Sequence, residues 1–406
     1  MNTRCKPELL APAGNMEKLK TAIHYGADAV YLGISDLSLR AKADNFDSDE
    51  LGEAIAYAHD QGSRAYITIN IFPHNKDIGL INAHLESIKD AGPDAVILSD
   101  PGVFDIIKSR TPEIPVHIST QANIINASSA LFWERLGADR LILAREVNIN
   151  EIKEIRDLVN VELECFVHGA LCISYSGRCY MSAFMANRSG NTGECTNSCR
   201  WNYTLMEEKR PGEYFPVYED DRGTYVMSSR DLCMIEHLDK LRDAGIDSFK
   251  LEGRTKGINY IAGVVKTYRE AVDRLIENAG YKVEKRWLDE LNAFSSRGYT
   301  TGMYLGRQDN GDYNHDEANI YRMSHTLVGI VQSRNGTKAK VLMRNRLFKG
   351  EDIEFLTPGL EGKKFSIQEI ENEDKEKLES TRNDEIVWLP VPDEVRNGDL
   401  IRKKIS

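Results

Sequence analysis

Gly26-Ala-Asp28 before AVYLG, Gly92-Pro-Asp94 before AVILS, Gly137-Ala-Asp139 before RLILA and Gly245-Ile-Asp247 before SFKLEG are four copies of one turn. Each follows a stretch with helical spacing of apolar residues and precedes an apolar run. Glycine suits the left-handed residue that ends a helix, and aspartate can close the turn into the strand through its side chain. ELLAPAG before the first turn, and RAYITIN, PVHISTQ and VELECFVHG between successive turns, read as the alternate strands. Eight strands alternating with helices predict a TIM-like (β/α)8 barrel, with the glycine turn before every even strand. An open doubly wound sheet is the competing α/β architecture. It is disfavoured because no Gly-rich dinucleotide turn follows the first strand.

Strands seven and eight stand much further apart than their neighbours. Between Gly169 and Ser229 the chain runs through a cysteine-rich stretch and then TLMEEKRPGEYFPVYEDDRGTY, which reads as a hairpin excursion. Long insertions of this kind sit on the C-terminal face of a barrel and carry function. INYIAGVVKTYREAVDRLIENAG then forms an amphipathic helix that closes the barrel, giving a first domain over 1–280 with the cysteine-rich insertion over 169–230. A helical connector is expected over 281–319. From about Ile320 the pattern changes to short alternating strands with turns at Asn335-Gly336 and Asn397-Gly398, predicting a small β-barrel domain over 320–406.

Composition bounds the function. A chain of 406 residues with 41% hydrophobic residues is an ordinary globular protein, and no segment reaches the roughly 18 consecutive apolar residues of a membrane span. The N-terminus lacks the apolar core of a signal peptide, so a cytoplasmic protein without disulfides is expected. The net charge of −11 argues against non-specific coating of nucleic acid, while leaving room for a local basic groove.

Five of the seven cysteines lie between Glu164 and Arg200, and Cys233 follows in SSRDLC. The spacings Cys172-x6-Cys179 and Cys195-x3-Cys199 contain no paired CxxC knuckles, which a zinc ribbon would need. Thiolates drawn from irregular loops suit an iron–sulfur cluster; zinc and structural or catalytic thiols stay open on spacing alone. Cys165, inside strand seven, reads as a buried inert thiol.

Barrel geometry adds a second set, the polar residues at the C-terminal ends of the strands. These are Asn70, Ser99 with Asp100, Ser119 to Gln121, Arg145 with Glu146, His168, and Glu252 with Arg254. Arg145 and Arg254 offer planar forks for carboxylates or phosphates, against the alternative that both belong to ion pairs on the barrel rim. Trp201, Asn202 and Tyr203 could stack a base, though aromatics beside a cluster more often shield it from water.

The segment from Glu164 to Cys179, ECFVHGALCISYSGRC with its neighbours ELLAPAGNMEKLKTAIHYGADAVYLG, GECTNSCRWNY, SSRDLC and KLEGRTK, resembles peptidase family U32, the collagenase-like peptidases. The C-terminal segment is similar to that family's accessory domain. The better-understood members are iron–sulfur proteins of oxygen-independent hydroxylation, and the branch this chain resembles most makes 5-hydroxyuridine at the tRNA wobble position with prephenate. The resemblance implies 4Fe–4S ligands at Cys172, Cys179, Cys199 and Cys233, with Cys195 the competitor of Cys199. It implies tRNA as partner and a pocket for a small dicarboxylate, for which Arg145, Arg254, Glu252 and His168 are the expected catalytic groups. A peptidase with Cys172 or Cys179 activated by His168 is the alternative, and a non-catalytic RNA-binding scaffold is a third. No HExxH helix occurs.

Overall fold

The computed structural model describes residues 6–35, 37, 45–172, 174–186, 188, 195–200, 205–206, 214–215, 218–220, 223–225, 230–277, 281–294, 298–306, 323–359 and 362–405. The chain begins with β1 (Glu8–Pro12), β2 (Ala29–Gly33), β3 (Arg64–Ile69), β4 (Ala95–Leu98), β5 (Val116–Ile118), β6 (Arg140–Ile142) and β7 (Glu162–Gly169). They alternate with α1 (Met16–His24), α2 (Ser48–Asp60), α3 (Asn75–Ala91), α4 (Pro101–Arg110), α5 (Ala127–Arg135) and α6 (Ile149–Arg156). The insertion contributes α7 (Met181–Ala186) and two short hairpins, β8 (Leu205–Met206) with β9 (Tyr214–Phe215) and β10 (Tyr218–Asp220) with β11 (Gly223–Tyr225). The chain returns through β12 (Asp231–Cys233) and α8 (Leu238–Asp243) to β13 (Ser248–Leu251), then α9 (Ile258–Glu277), α10 (Lys285–Asn292) and β14 (Tyr299–Thr300).

Strands β1 to β7 are joined in order by parallel pairing, and β13 pairs in parallel with both β7 and β1. The expected eight-stranded barrel is therefore closed. Two strands extend it outward at β7, where β12 runs antiparallel and is followed by β14. Asn15 caps α1 as its sequence position predicts, its side chain accepting the Lys18 N–H at 2.9 Å.

The repeated turn has a different use for its aspartate than the sequence suggests. The four glycines take left-handed backbone, with φ of +101°, +65°, +90° and +96° at Gly26, Gly92, Gly137 and Gly245. The aspartate side chains, however, cross to the odd strand alongside. Asp28, Asp94, Asp139 and Asp247 accept the N–H groups of Leu9, Ala65, Val116 and Leu163, each at 2.8 Å. In return each aspartate N–H donates to the carbonyl of that same residue, at 2.8 to 3.0 Å. The turn thus clips one strand to its neighbour.

Near the start of the strands the barrel axis carries charge as well as hydrocarbon. Arg140 reaches Glu8 at 2.6 Å and Glu164 at 2.9 Å, and Lys250 reaches Glu164 at 2.7 Å. Tyr66 and Ser248 donate to Glu8 at 2.7 and 3.0 Å. Two buried cations face two buried carboxylates, so the group is internally neutral, the condition under which buried charge is tolerated.

The C-terminal region is an antiparallel six-stranded half-barrel around its own apolar core. It comprises β15 (His325–Asn335), β16 (Lys338–Met343), β17 (Asp352–Leu356), β18 (Lys363–Ser366), β19 (Ile386–Pro390) and β20 (Leu400–Lys404), in the order β18-β17-β20-β15-β16-β19. Gly336 and Gly398 take left-handed backbone at the two Asn-Gly turns. The half-barrel docks on the main barrel through Tyr25, whose hydroxyl donates to the Leu356 carbonyl and accepts from the Leu400 N–H. Arg402 adds a bidentate pair with Glu290 at 2.9 and 2.8 Å.

Candidate active site

A cavity of about 240 Å³ opens at the C-terminal mouth of the barrel. Its floor comes from the strands, with Tyr31, Thr68, Ile97, Ile142, Phe166 and Lys250. Its wall comes from strand ends and the turns after them, with Asn70, Ser119, Gln121, Arg145, Glu146, Glu252 and Arg254. Its rim comes from the insertion, which brings Cys172, Tyr175, Ser176, Gly177, Cys179, Cys195 and Cys199 to the same space.

The wall residues are held in distinct ways. Arg254 is buried, donates to Thr68 Oγ1 at 3.3 Å and contacts Asn45 Oδ1. Its guanidinium lies across Gly33, where a Cβ would fall 1.8 Å from Nη2. Arg145 differs. Its guanidinium packs 4.2 Å over the Phe166 ring and its buried Nε has no hydrogen-bond partner. Glu146 does not pair with it but accepts both the N–H and the hydroxyl of Ser176 at 2.9 Å, tying the insertion to the wall. Arg145 is thus a cation without a carboxylate partner among the described residues, in a concave site lined by polar side chains. That is the arrangement of an anion anchor.

Lys250 is the residue that strand-end reasoning overlooks. It lies within β13 rather than beyond it, flanked by the rings of Tyr31 at 4.6 Å and Phe166 at 5.5 Å. Burial lowers its ammonium pKa, and the Glu164 carboxylate opposes that shift. Its charge is answered by Glu164, so it makes the floor polar without adding net charge.

The structure does not bring His168 to the cavity. Its ring is 1% exposed and enclosed by Tyr260, Tyr268 and Tyr299, with Nδ1 3.3 Å from the Tyr268 hydroxyl. Burial lowers its pKa to about 3, so it is a neutral imidazole. The cause is a register shift between β13 and β7: Lys250 faces Phe166, but the next residue, Leu251, faces His168. The extra residue, Val167, breaks the alternation that would have aligned His168 with Glu164 and Phe166. Asp100 is also diverted, capping α4 by accepting the Val103 N–H at 3.0 Å, and Ser99 is buried with its hydroxyl unpartnered. Trp201, Asn202 and Tyr203 lie outside the described residues.

The thiols divide into a group at the mouth and two behind it. Cys172, Cys179, Cys195 and Cys199 line the cavity, and Cys195 Sγ accepts the Asn197 N–H at 3.4 Å. Cys233 sits on β12 opposite His168, 3.7 Å from the Tyr268 hydroxyl, its pKa pushed up by burial to about 11. Cys165, between Glu164 and Phe166 on β7, is buried as expected, and burial pushes its thiol up to about 12. A mouth lined by thiols has the donor chemistry of a thiolate-held cluster. Among the described residues, however, no three of His, Cys, Asp or Glu are gathered around one point as a preformed ion site. No described helix is long and apolar enough to cross a membrane.

Known proteins resemble the chain over nearly its whole length. It is 37% identical to the tRNA hydroxylation protein P1 of Bacillus subtilis (strain 168), covering 98% of this chain and 95% of that one. It is also 37% identical to the tRNA hydroxylation protein P of Escherichia coli (strain K12), covering 99% and 97%. A protein named collagenase from Porphyromonas gingivalis (strain ATCC BAA-308 / W83) is 33% identical, covering 97% of each. The sequence model of peptidase family U32 matches residues 14–314, and that of the family's C-terminal domain matches 323–402. This chain belongs to peptidase family U32.

Proposed function

We propose that this protein is a cytoplasmic tRNA-modifying enzyme that hydroxylates C5 of the wobble uridine, without oxygen, using prephenate as co-substrate and a 4Fe–4S cluster as cofactor. The observation that carries the reading is the 37% identity over nearly the full chain to proteins named for tRNA hydroxylation. The site is chemically consistent with it. Arg145 grips a carboxylate of the dicarboxylate co-substrate through its planar fork. Arg254, steadied by Thr68 and Asn45, holds the second anionic group. Glu252, on the same wall, is placed to hold a proton at the site, and the Phe166 ring gives the floor an apolar face beside Lys250. Cys172, Cys179, Cys195 and Cys199, the thiols that share the mouth, would hold the cluster, whereas Cys233, expected from the resemblance, would have to be brought across β7 to replace one of them; a bound cluster would supply one-electron chemistry.

The family name offers a peptidase as the second reading, supported by the relative named collagenase. It requires a thiol with a base in reach. Among the described residues the mouth thiols and His168 lie on opposite sides of the barrel wall, so the expected dyad is not assembled.

Nucleoside mass spectrometry of tRNA from a strain lacking the gene tests the proposal. Loss of 5-hydroxyuridine-derived nucleosides, restored by the intact gene and not by Arg145→Ala, is the expected result. Unchanged tRNA nucleosides would overturn it. Iron analysis of single alanine variants at Cys195, Cys199 and Cys233, purified without oxygen, identifies the ligands.

A further inference from the structure

The rim of the cavity presents aromatic side chains to solvent. Tyr180 and Phe184 are 71% and 78% exposed, and Tyr175 and Met185 are exposed beside them. Scattered exposed hydrophobics need no explanation, but a group at the mouth of a reactive cavity does. Tyr180 and Phe184 are one helical turn apart, the Phe184 N–H donating to the Tyr180 carbonyl at 3.0 Å, so they share a face at the start of α7. Tyr175 lines the cavity as well and links it to that face.

This rim is built into the wall. Ser176 is fixed to Glu146 by two hydrogen bonds of 2.9 Å, and the Arg178 N–H closes a turn onto the Tyr175 carbonyl at 2.9 Å. Gly177, at φ +70°, packs so closely that a Cβ would fall 2.4 Å from the Gln121 carbonyl oxygen. The segment that forms the rim carries charge of one sign. Between Glu164 and Glu194 the sequence has no acidic residue, while Arg178 and Arg188 fall within it, in a chain whose net charge is −11. A second copy meeting it with the same surface would bring like charge, whereas a polyanion is attracted to it.

Aromatic faces beside cations are the means of holding single-stranded nucleic acid, since every base has a face to stack. The cavity adds a geometric demand. A base stacked inside a duplex cannot reach a floor formed by the barrel strands, so the target nucleotide must swing out, leaving its neighbours without a stacking partner. We infer that Tyr175, Tyr180 and Phe184 form a stacking platform for the bases flanking the uridine to be modified, with Arg178 and Arg188 on the phosphates. The inference rests on the tRNA reading and names the side chains that hold the unpaired loop around the target.

The test uses the intact protein with two fluorescent RNAs, an anticodon stem-loop and a fully paired duplex carrying the same target sequence. The wild-type protein should prefer the stem-loop. Tyr180→Ala with Phe184→Ala should weaken stem-loop binding about 5- to 150-fold per stacked base lost, with unchanged circular dichroism. Tyr180→Trp should restore binding, and Tyr180→Leu should not. Equal binding of the stem-loop by the alanine variant, or rescue by leucine, would overturn the platform while leaving the tRNA reading intact. Failure of the wild-type protein to bind either RNA or to modify tRNA would overturn both. A change in self-association or in binding to a collagen peptide, with RNA binding unaltered, would assign the surface to a protein and overturn the inference.

Discussion

The Asp247 carboxylate accepts the Leu163 N–H at 2.8 Å while the Asp247 N–H donates to the Leu163 carbonyl at 2.8 Å, a two-way clip between β13 and β7. The same clip joins Asp28 to Leu9, Asp94 to Ala65 and Asp139 to Val116, so a repeat in sequence becomes a four-fold repeat around the barrel. Each aspartate also meets a cation or histidine: Arg269, His59, Lys108 or Arg156.

Removing one clip should weaken the barrel without altering its site. Asp139→Ala leaves the Val116 N–H without its acceptor and is expected to cost about 1 to 3 kcal/mol. Asp139→Asn, which keeps an acceptor oxygen, should cost less. Urea unfolding of the two variants checks this, and an unchanged midpoint for alanine would show that the clip contributes nothing.

His117 should make stability depend on pH. Burial, with Arg140 and Lys250 nearby, holds its pKa well below the ordinary histidine value, and its Nδ1 has no partner. The unfolded chain therefore takes up a proton below about pH 6.5 that the folded chain refuses. The contribution is fully present above that pH and falls by about 1.4 kcal/mol per unit as pH drops below it. His168, also held neutral by burial, adds to the same slope, so His117→Gln should reduce it in unfolding curves taken between pH 7 and pH 5; an unchanged slope would exclude His117 as a source.

Gly33→Ala should cripple the site while preserving the fold. Its Cβ would collide with Arg254 Nη2 and push the guanidinium off Thr68. Displacement of about 1 Å in a positioning group can lower activity by about a hundredfold. Complementation of tRNA modification, with thermal unfolding as the control for folding, measures both consequences.

Arg145→Ala should abolish use of the co-substrate and barely change stability. The guanidinium gives up only its contact with Phe166, about 1 kcal/mol or less. Arg145→Lys keeps the charge but loses the planar fork and should raise the co-substrate KM more than it lowers kcat. A large loss of stability in the alanine variant would instead make Arg145 a structural residue.

Arg402→Ala should loosen the C-terminal half-barrel. Arg402 is buried and pairs with Glu290 on α10 and Glu354 on β17, so its removal strands two half-buried carboxylates. The expected loss is about 3 to 5 kcal/mol. Hydrogen exchange should rise at both glutamates' strands and helices before it rises in β1 to β7; uniform exchange would argue against a docking role.

What the sequence determined alone is local. Left-handed glycines, the Asn15 cap and Asn-Gly turns follow from backbone sterics within a few residues; repetition around Asp28, Asp94, Asp139 and Asp247 was enough for the closed barrel, and the Asn335-Gly336 and Asn397-Gly398 turns for a separate β domain. Arg145, Glu252 and Arg254 were legible too, because barrel strand ends face one mouth. Convergence was decided only in three dimensions. One extra residue at Val167 turns His168 outward, and Tyr268 and Tyr299, from far along the chain, enclose it. The pairing of β12 with β7 carries Cys233 to the same outer side, while the insertion folds Cys195 toward the mouth. Lys250 becomes a site residue because the cavity reaches down into β13. Each of these depends on register and on contacts between distant segments, which the spacing of residue types along a chain does not encode.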